Sequence, residues 1–145
     1  MQNLFFMIRM EEKRYTLHKT ERLSSKKLIE RLFGGGNKSF PAFPIRVVYM
    51  YQEPEETLSD VSILISVPKK RFKHAVDRNR VKRQIREAYR HNKHILHHAL
   101  ENQSYGLALA FIWLDKELHS SEEVTYRIKS LLERITEKIK GGSIN

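Results

Sequence analysis

Between Lys69 and Arg90 the chain sets ten Lys or Arg against only two acids, Asp77 and Glu87. That much charge cannot be buried without partners, so one side of the stretch must face water or a polyanion. Yet Val81, Ile85, Ala88 and Tyr89 recur within it at helical spacing. An amphipathic helix on the domain surface satisfies both constraints. Asp77 is the expected N-cap, with the helix beginning at Arg78. Asn79, Arg83, Arg86 and Arg90 then share a face away from the apolar stripe, flanked by Arg78 and Lys82. The helix is expected to run on through Ile95, Leu96 and Leu100. Pro68 ends the element before it, leaving Lys69–His74 as a basic loop.

The remaining pattern supplies a sheet and two more helices. Leu28, Ile29, Leu32 and Phe33 form a short stripe that predicts a helix from Ser24 or Ser25, closed by Gly34-Gly35-Gly36. Pro41 and Pro44 keep the following approach extended. Ile45, Val47, Tyr49 and Tyr51 alternate with Arg46, Val48 and Met50, a strand pattern. An acidic connection over 52–60, with Glu53, Glu55, Glu56 and Asp60, leads to a second strand over Val61–Val67, and the two suggest a hairpin. Leu107–Leu114 is an apolar run fit for a central strand. Ser120 and Glu123 can form a capping box for a last helix carrying Val124, Ile128, Leu131, Ile135 and Ile139, with Gly141-Gly142 at its end. The expected fold is α+β, a small two-layer α/β sandwich with one central sheet, in the order helix, strand, strand, helix, strand, helix. Residues 1–20 read as an N-terminal extension, 21–140 as one domain and 141–145 as a flexible tail.

The net charge of +10 on 145 residues is not spread evenly. Outside Lys69–Arg90, 17 basic residues meet 15 acidic ones, so nearly the whole surplus lies in one segment. A solvated face normally mixes signs, and this one does not. Lysines and arginines on one helix face match phosphates along a nucleic-acid backbone, and Arg adds a rigid fork. A DNA-recognition helix could carry the same charges, but a helix–turn–helix needs a partner helix directly before it. Here a strand and a loop precede, which favours RNA while leaving a DNA-binding regulator open. Absence of cysteine excludes disulfides, cysteine-ligated zinc and thiol nucleophiles. No stretch reads as a secretory signal or a membrane span, so the cytoplasm is the expected compartment. His91, His94 and His98 would share a helix face, but a solvated helix end explains them better than a metal site. No catalytic constellation is apparent.

Val67-Pro68-Lys69-Lys70, followed by Ala75-Val76-Asp77-Arg78-Asn79-Arg80-Val81-Lys82-Arg83-Gln84-Ile85-Arg86-Glu87, resembles the signature region of the bacterial ribonuclease P protein family. The resemblance extends from Arg22 to Lys140. It implies a protein subunit that joins a catalytic RNA and supports endonucleolytic removal of the 5′ leader from precursor tRNA. Ribonuclease P RNA and precursor tRNA are the implied partners. Mg²⁺ would act with the RNA, and the protein, monomeric when free, would be inactive alone. Lys69, Lys70, Arg78, Asn79, Arg80, Lys82, Arg83 and Arg86 take the RNA-binding roles on this basis, and the charge pattern adds Arg71, Lys73 and Arg90 to the same expected surface. Ile29, Phe33 and Tyr49 are expected in a leader cleft between the first helix and the sheet. The chain departs from the family pattern at Pro68, where Ser is usual, at Phe72, where Gly is usual, and at Ile29, which replaces an aromatic. An RNA-binding protein of structural or assembly role, without part in cleavage, is the alternative.

Overall fold

The structure is a computed structural model that describes residues 26–53 and 60–141. The expected extension over 1–20, the helix start at Ser24 or Ser25, Glu55 and Glu56, and the tail from Gly142 lie outside the described residues.

Helix α1 (Lys26–Phe33) buries Leu28 and Leu32. Gly35 and Gly36 follow with φ of +92° and +78°, a backbone that side-chain-bearing residues rarely adopt. The Asn37 side chain then donates to the carbonyls of Arg31 and Leu32 at 2.8 and 2.7 Å, satisfying helix-end acceptors that have no intrahelical partner.

Four strands form the sheet: β1 (Lys38–Ala42), β2 (Ile45–Gln52), β3 (Val61–Ser66) and β4 (Gly106–Trp113). Their spatial order is β1-β2-β4-β3. β1 was not expected as a strand; it pairs antiparallel with β2 at the sheet's edge, the position where Pro41 is tolerated. The expected hairpin of β2 with β3 does not form. β4 enters between them, antiparallel to β2 (Tyr49 opposite Leu109) and parallel to β3 (Ile63 opposite Leu109). A strand as apolar as β4 is best buried with both edges paired. The parallel β3–β4 pair needs a crossover, supplied by α2 (Ala75–Asn92) and α3 (His94–Leu100).

The two sheet faces are covered unequally. Ile45, Val47, Tyr49, Ile63, Leu107, Leu109, Phe111 and Trp113 meet the apolar sides of α2, α3 and α4 (Ser121–Lys140) in the main core. On the other face α1 sets Leu28 and Leu32 against Met50, Ala108 and Ala110. The small side chains of Ala108 and Ala110 allow that close approach.

Two helix boundaries differ from expectation. α2 begins at Ala75, and its N-cap is His74, extended and without a side-chain cap bond, so Asp77 is not the cap. Asp77 falls in the first turn instead, where its carboxylate meets the positive end of the helix dipole. The helix also stops at Asn92, whose side-chain amide donates to the Ala88 carbonyl at 2.8 Å, and α3 restarts at His94. At α4 the Ser120 hydroxyl accepts from the Glu123 N–H at 3.1 Å, as the capping pattern predicts. The Glu123 carboxylate, however, turns to His119 rather than completing a capping box.

Candidate nucleic-acid interface

The basic loop is shaped by three anchors. The Arg71 N–H donates to the Pro68 carbonyl at 3.0 Å and closes a turn. Phe72 is only 7% exposed and joins the main core. Arg78, from the first turns of α2, reaches back with Nη1 to the carbonyls of Phe72 (2.8 Å) and Lys73 (3.3 Å). Lys69, Lys70 and Lys73 are left exposed, and Arg71 is half-buried.

Along α2 the apolar stripe does what its spacing predicts: Val81, Ile85, Ala88 and Tyr89 are all buried. Gln84 is buried as well, and its side-chain amide donates to the His119 carbonyl at 3.0 Å and the Ser121 hydroxyl at 3.1 Å. The helix is therefore fixed from behind. Asn79, Arg80 and Arg83 are exposed on the outer side, while Lys82, Arg86 and Arg90 are half-buried beside them.

Electrostatics divide these cations into two groups. Arg90 Nη2 lies 2.7 Å from Glu87 Oε2, and Nε donates to the same oxygen at 3.2 Å. Chiefly through that hydrogen bond, Glu87 is held below the usual carboxylate range. Among the described residues, Arg80, Lys82, Arg83 and Arg86 have no carboxylate within ion-pair distance. Like charges left side by side without counterions repel one another, and an anion bridging them relieves that cost.

The three expected cleft residues are not brought together. Ile29, like Val48 and Leu64, packs against the cluster of Leu28, Leu32, Met50, Ala108 and Ala110 on the α1 face of the sheet, and Phe33 is 47% exposed at the end of α1. Tyr49 is buried against the opposite face, its ring stacked on Phe40 at 5.8 Å. Strand alternation sets Val48 and Met50, not Tyr49, toward α1. Tyr49 does border a cavity of about 550 Å³ beside the end of α1, which Arg31, Gly34–Gly36 and Lys38 also line. Burial and neighbouring Tyr51 push the Tyr49 hydroxyl up to about 12.

Two of the helix-face histidines each lie beside an acid. His91 lies 3.7 Å from Glu87 and His98 lies 3.6 Å from Glu101. Among the described residues no three metal-ligating side chains are arranged to hold an ion. Reading the sequence for sites passed over His119, whose Nε2 and Nδ1 contact Asp115 (2.7 Å) and Glu123 (2.9 Å). The only trace was an acid four residues away on either side. The ring bridges two carboxylates beside Trp113. Partial burial opposes its charge, but the hydrogen bonds to the two acids outweigh it and raise its pKa.

Fold and surface together define a small α+β domain with a cationic helix and loop, most of whose basic side chains have no acid beside them among the described residues. Residues 17–136 match the family model described as Ribonuclease P. The ribonuclease P protein component of Porphyromonas gingivalis strain W83 is 39% identical over 130 residues, covering 90% of this chain and 93% of that protein. That of Chlorobaculum tepidum is 35% identical over 109 residues, covering 71% and 70%. The chain belongs to the ribonuclease P protein family. Its fold is shared with solved ribonuclease P proteins. The Staphylococcus aureus structure aligns with a TM-score of 0.63 at 20% identity, covering 81% of this chain and 96% of that one. The Thermotoga maritima structure gives 0.57 at 24% identity, covering 79% and 96%.

Proposed function

We propose that this chain is the protein subunit of a ribonuclease P holoenzyme, binding the catalytic RNA and the 5′ leader of precursor tRNA to support 5′ maturation. The observation that carries this reading is the row Arg80, Lys82, Arg83 and Arg86, held on a packed helix with no ion-pair partner among the described residues. Phosphates of ribonuclease P RNA would supply the missing counter-charges, and the exposed Lys69, Lys70 and Lys73 would extend the contact along the backbone. The sheet face beside α1, with half-buried Ile29, Val48 and Leu64 and the exposed Phe33, is the surface suited to an extended single strand.

The protein's part is electrostatic and positional. It lowers repulsion between two RNAs and fixes the leader relative to the scissile phosphate. Mg²⁺ needs oxygen donors, and the interface offers ammonium and guanidinium groups, so the metal's ligands belong to the RNA. Hydrolysis would then be carried by the RNA, with the protein alone inactive. Among the described residues no helix is long and apolar enough to cross a membrane, and we place the holoenzyme in the cytoplasm.

Reconstitution with the ribonuclease P RNA of the same source, at low Mg²⁺, tests the reading. The protein should accelerate 5′ processing of precursor tRNA and do nothing without the RNA. RNA binding with no gain in processing would favour a structural or assembly role instead.

A further inference from the structure

We infer that Arg78 serves RNA binding as a positioning residue, holding the basic loop in shape rather than gripping a phosphate itself. The inference rests on the RNA-binding reading above and concerns how one part of that surface works. Arg78 Nη1 donates to two successive carbonyls, those of Phe72 and Lys73, at the point where the loop enters α2. With both Nη1 protons spent on carbonyls, one of the two edges through which Arg can grip a phosphate is taken up, and the side chain is anchored at the loop. Its charge still adds to the local field, but its geometry is committed to the backbone.

The other two anchors act on the same segment. The Phe72 ring is buried in the core, and the Arg71 N–H closes the turn onto Pro68. Between and beside these fixed points stand Lys69, Lys70 and Lys73, all exposed. A buried ring pins the loop's middle, and Arg78 pins its end to the helix. The three ammonium groups are thus presented from a backbone already ordered before RNA arrives, so binding loses less conformational freedom. Without Arg78 the carbonyls of Phe72 and Lys73 lose this charged donor, and the end of the loop is released.

The test uses the full chain and has two readouts. The first is hydrogen exchange of the amides over 69–74 in the RNA-free protein. The second is affinity for the ribonuclease P RNA of the same source, measured for Arg78→Ala, for the triple Lys69→Ala, Lys70→Ala, Lys73→Ala variant, and for their combination. Arg78→Ala should speed loop exchange while leaving exchange in β4 and α4 unchanged. It should weaken RNA binding about tenfold in the wild-type background, as expected for loss of a charge-assisted hydrogen bond. In the triple-lysine background it should cost less than about twofold, because the groups it positions are gone. Unchanged loop exchange, or an equal loss in both backgrounds, would overturn the inference while leaving the RNA-binding reading intact. Wild-type affinity of the triple-lysine variant would overturn the assignment of the loop to RNA, and the inference with it. If Arg78→Ala does not fold, Arg78→Met keeps the apolar stem, removes the donor and is read in the same way.

Discussion

The buried Gln84 side chain of α2 donates to the His119 carbonyl at 3.0 Å, joining the cationic helix to the segment that leads into α4. The same amide reaches the Ser121 hydroxyl at 3.1 Å, so one side chain ties the helix to both ends of the Ser120 cap. This bond lies on the buried side of the helix, so the helix is held firmly from behind while the exposed Asn79, Arg80 and Arg83 stay open to solvent. Gln84→Ala should therefore lower stability by about 1–2 kcal/mol, since it leaves a part-buried carbonyl without its donor. Urea denaturation measures the loss, and RNA affinity of the folded variant should change far less than stability does.

His119 makes stability depend on pH from both sides. Its pKa is raised in the folded protein, so its contribution is complete below the unfolded value of about 6.5 and is lost as pH rises through the higher folded value. Asp115 is shifted the other way, chiefly by its hydrogen bond with His119. Its contribution is present above the ordinary Asp value and is lost as pH falls through the lower folded one. The pair is therefore fully stabilising between about pH 4 and 6.5. Denaturation midpoints across pH should decline on either side of that window. His119→Gln should flatten the decline on the alkaline side; an unaltered alkaline limb would show that another group is responsible.

Periodicity made most elements legible. The stripe Val81, Ile85, Ala88 and Tyr89 and the alternation from Ile45 to Tyr51 each report a local repeat, and each folds as read. Strand order is different in kind. β2 and β3 lie close in sequence, yet β4 separates them, and that pairing depends on a contact across the crossover that no local pattern encodes. β1 was hidden because Pro41 reads against a strand, and only its edge position resolves the conflict. Tyr49 shows the same limit at the site. Alternation fixes that it opposes Val48, but not which face α1 covers. The cationic face was legible residue by residue, whereas the commitment of Arg78 to the loop and of Arg90 to Glu87 required the folded backbone.

Gly106 marks a place where two backbones touch. A Cβ there would collide with the Asp60 carbonyl oxygen, the same oxygen that accepts from the Leu107 N–H at 2.8 Å. The obstacle is main chain at the start of the parallel β3–β4 pair, so it cannot swing aside as a flexible side chain would. Gly106→Ala should destabilise the domain by about 1–3 kcal/mol. A thermal or urea midpoint equal to wild type would mean that the end of β3 yields at little cost.

The cations of α2 should not contribute equally to RNA binding, and their ion-pair partners set the order. Arg83 is exposed and, among the described residues, has no acid within ion-pair distance, whereas Arg90 is already bonded through Nη2 and Nε to Glu87. A phosphate approaching Arg90 must compete with that carboxylate; one approaching Arg83 competes only with water. Arg83→Ala should thus weaken binding to ribonuclease P RNA more than Arg90→Ala does. The slope of log affinity against log salt should fall by about 0.7–0.9 for each phosphate contact removed. The combined charge reversal Arg83→Glu, Arg86→Glu should abolish the gain in precursor processing. It should leave the circular dichroism spectrum unchanged, because the stripe that holds the helix lies on its other side. Glu87→Gln runs the comparison in reverse: with the carboxylate charge gone, the hold on Arg90 weakens, and binding should tighten and grow more salt-dependent. If Arg90→Ala matches Arg83→Ala and Glu87→Gln has no effect, the Arg90–Glu87 pair does not survive RNA binding.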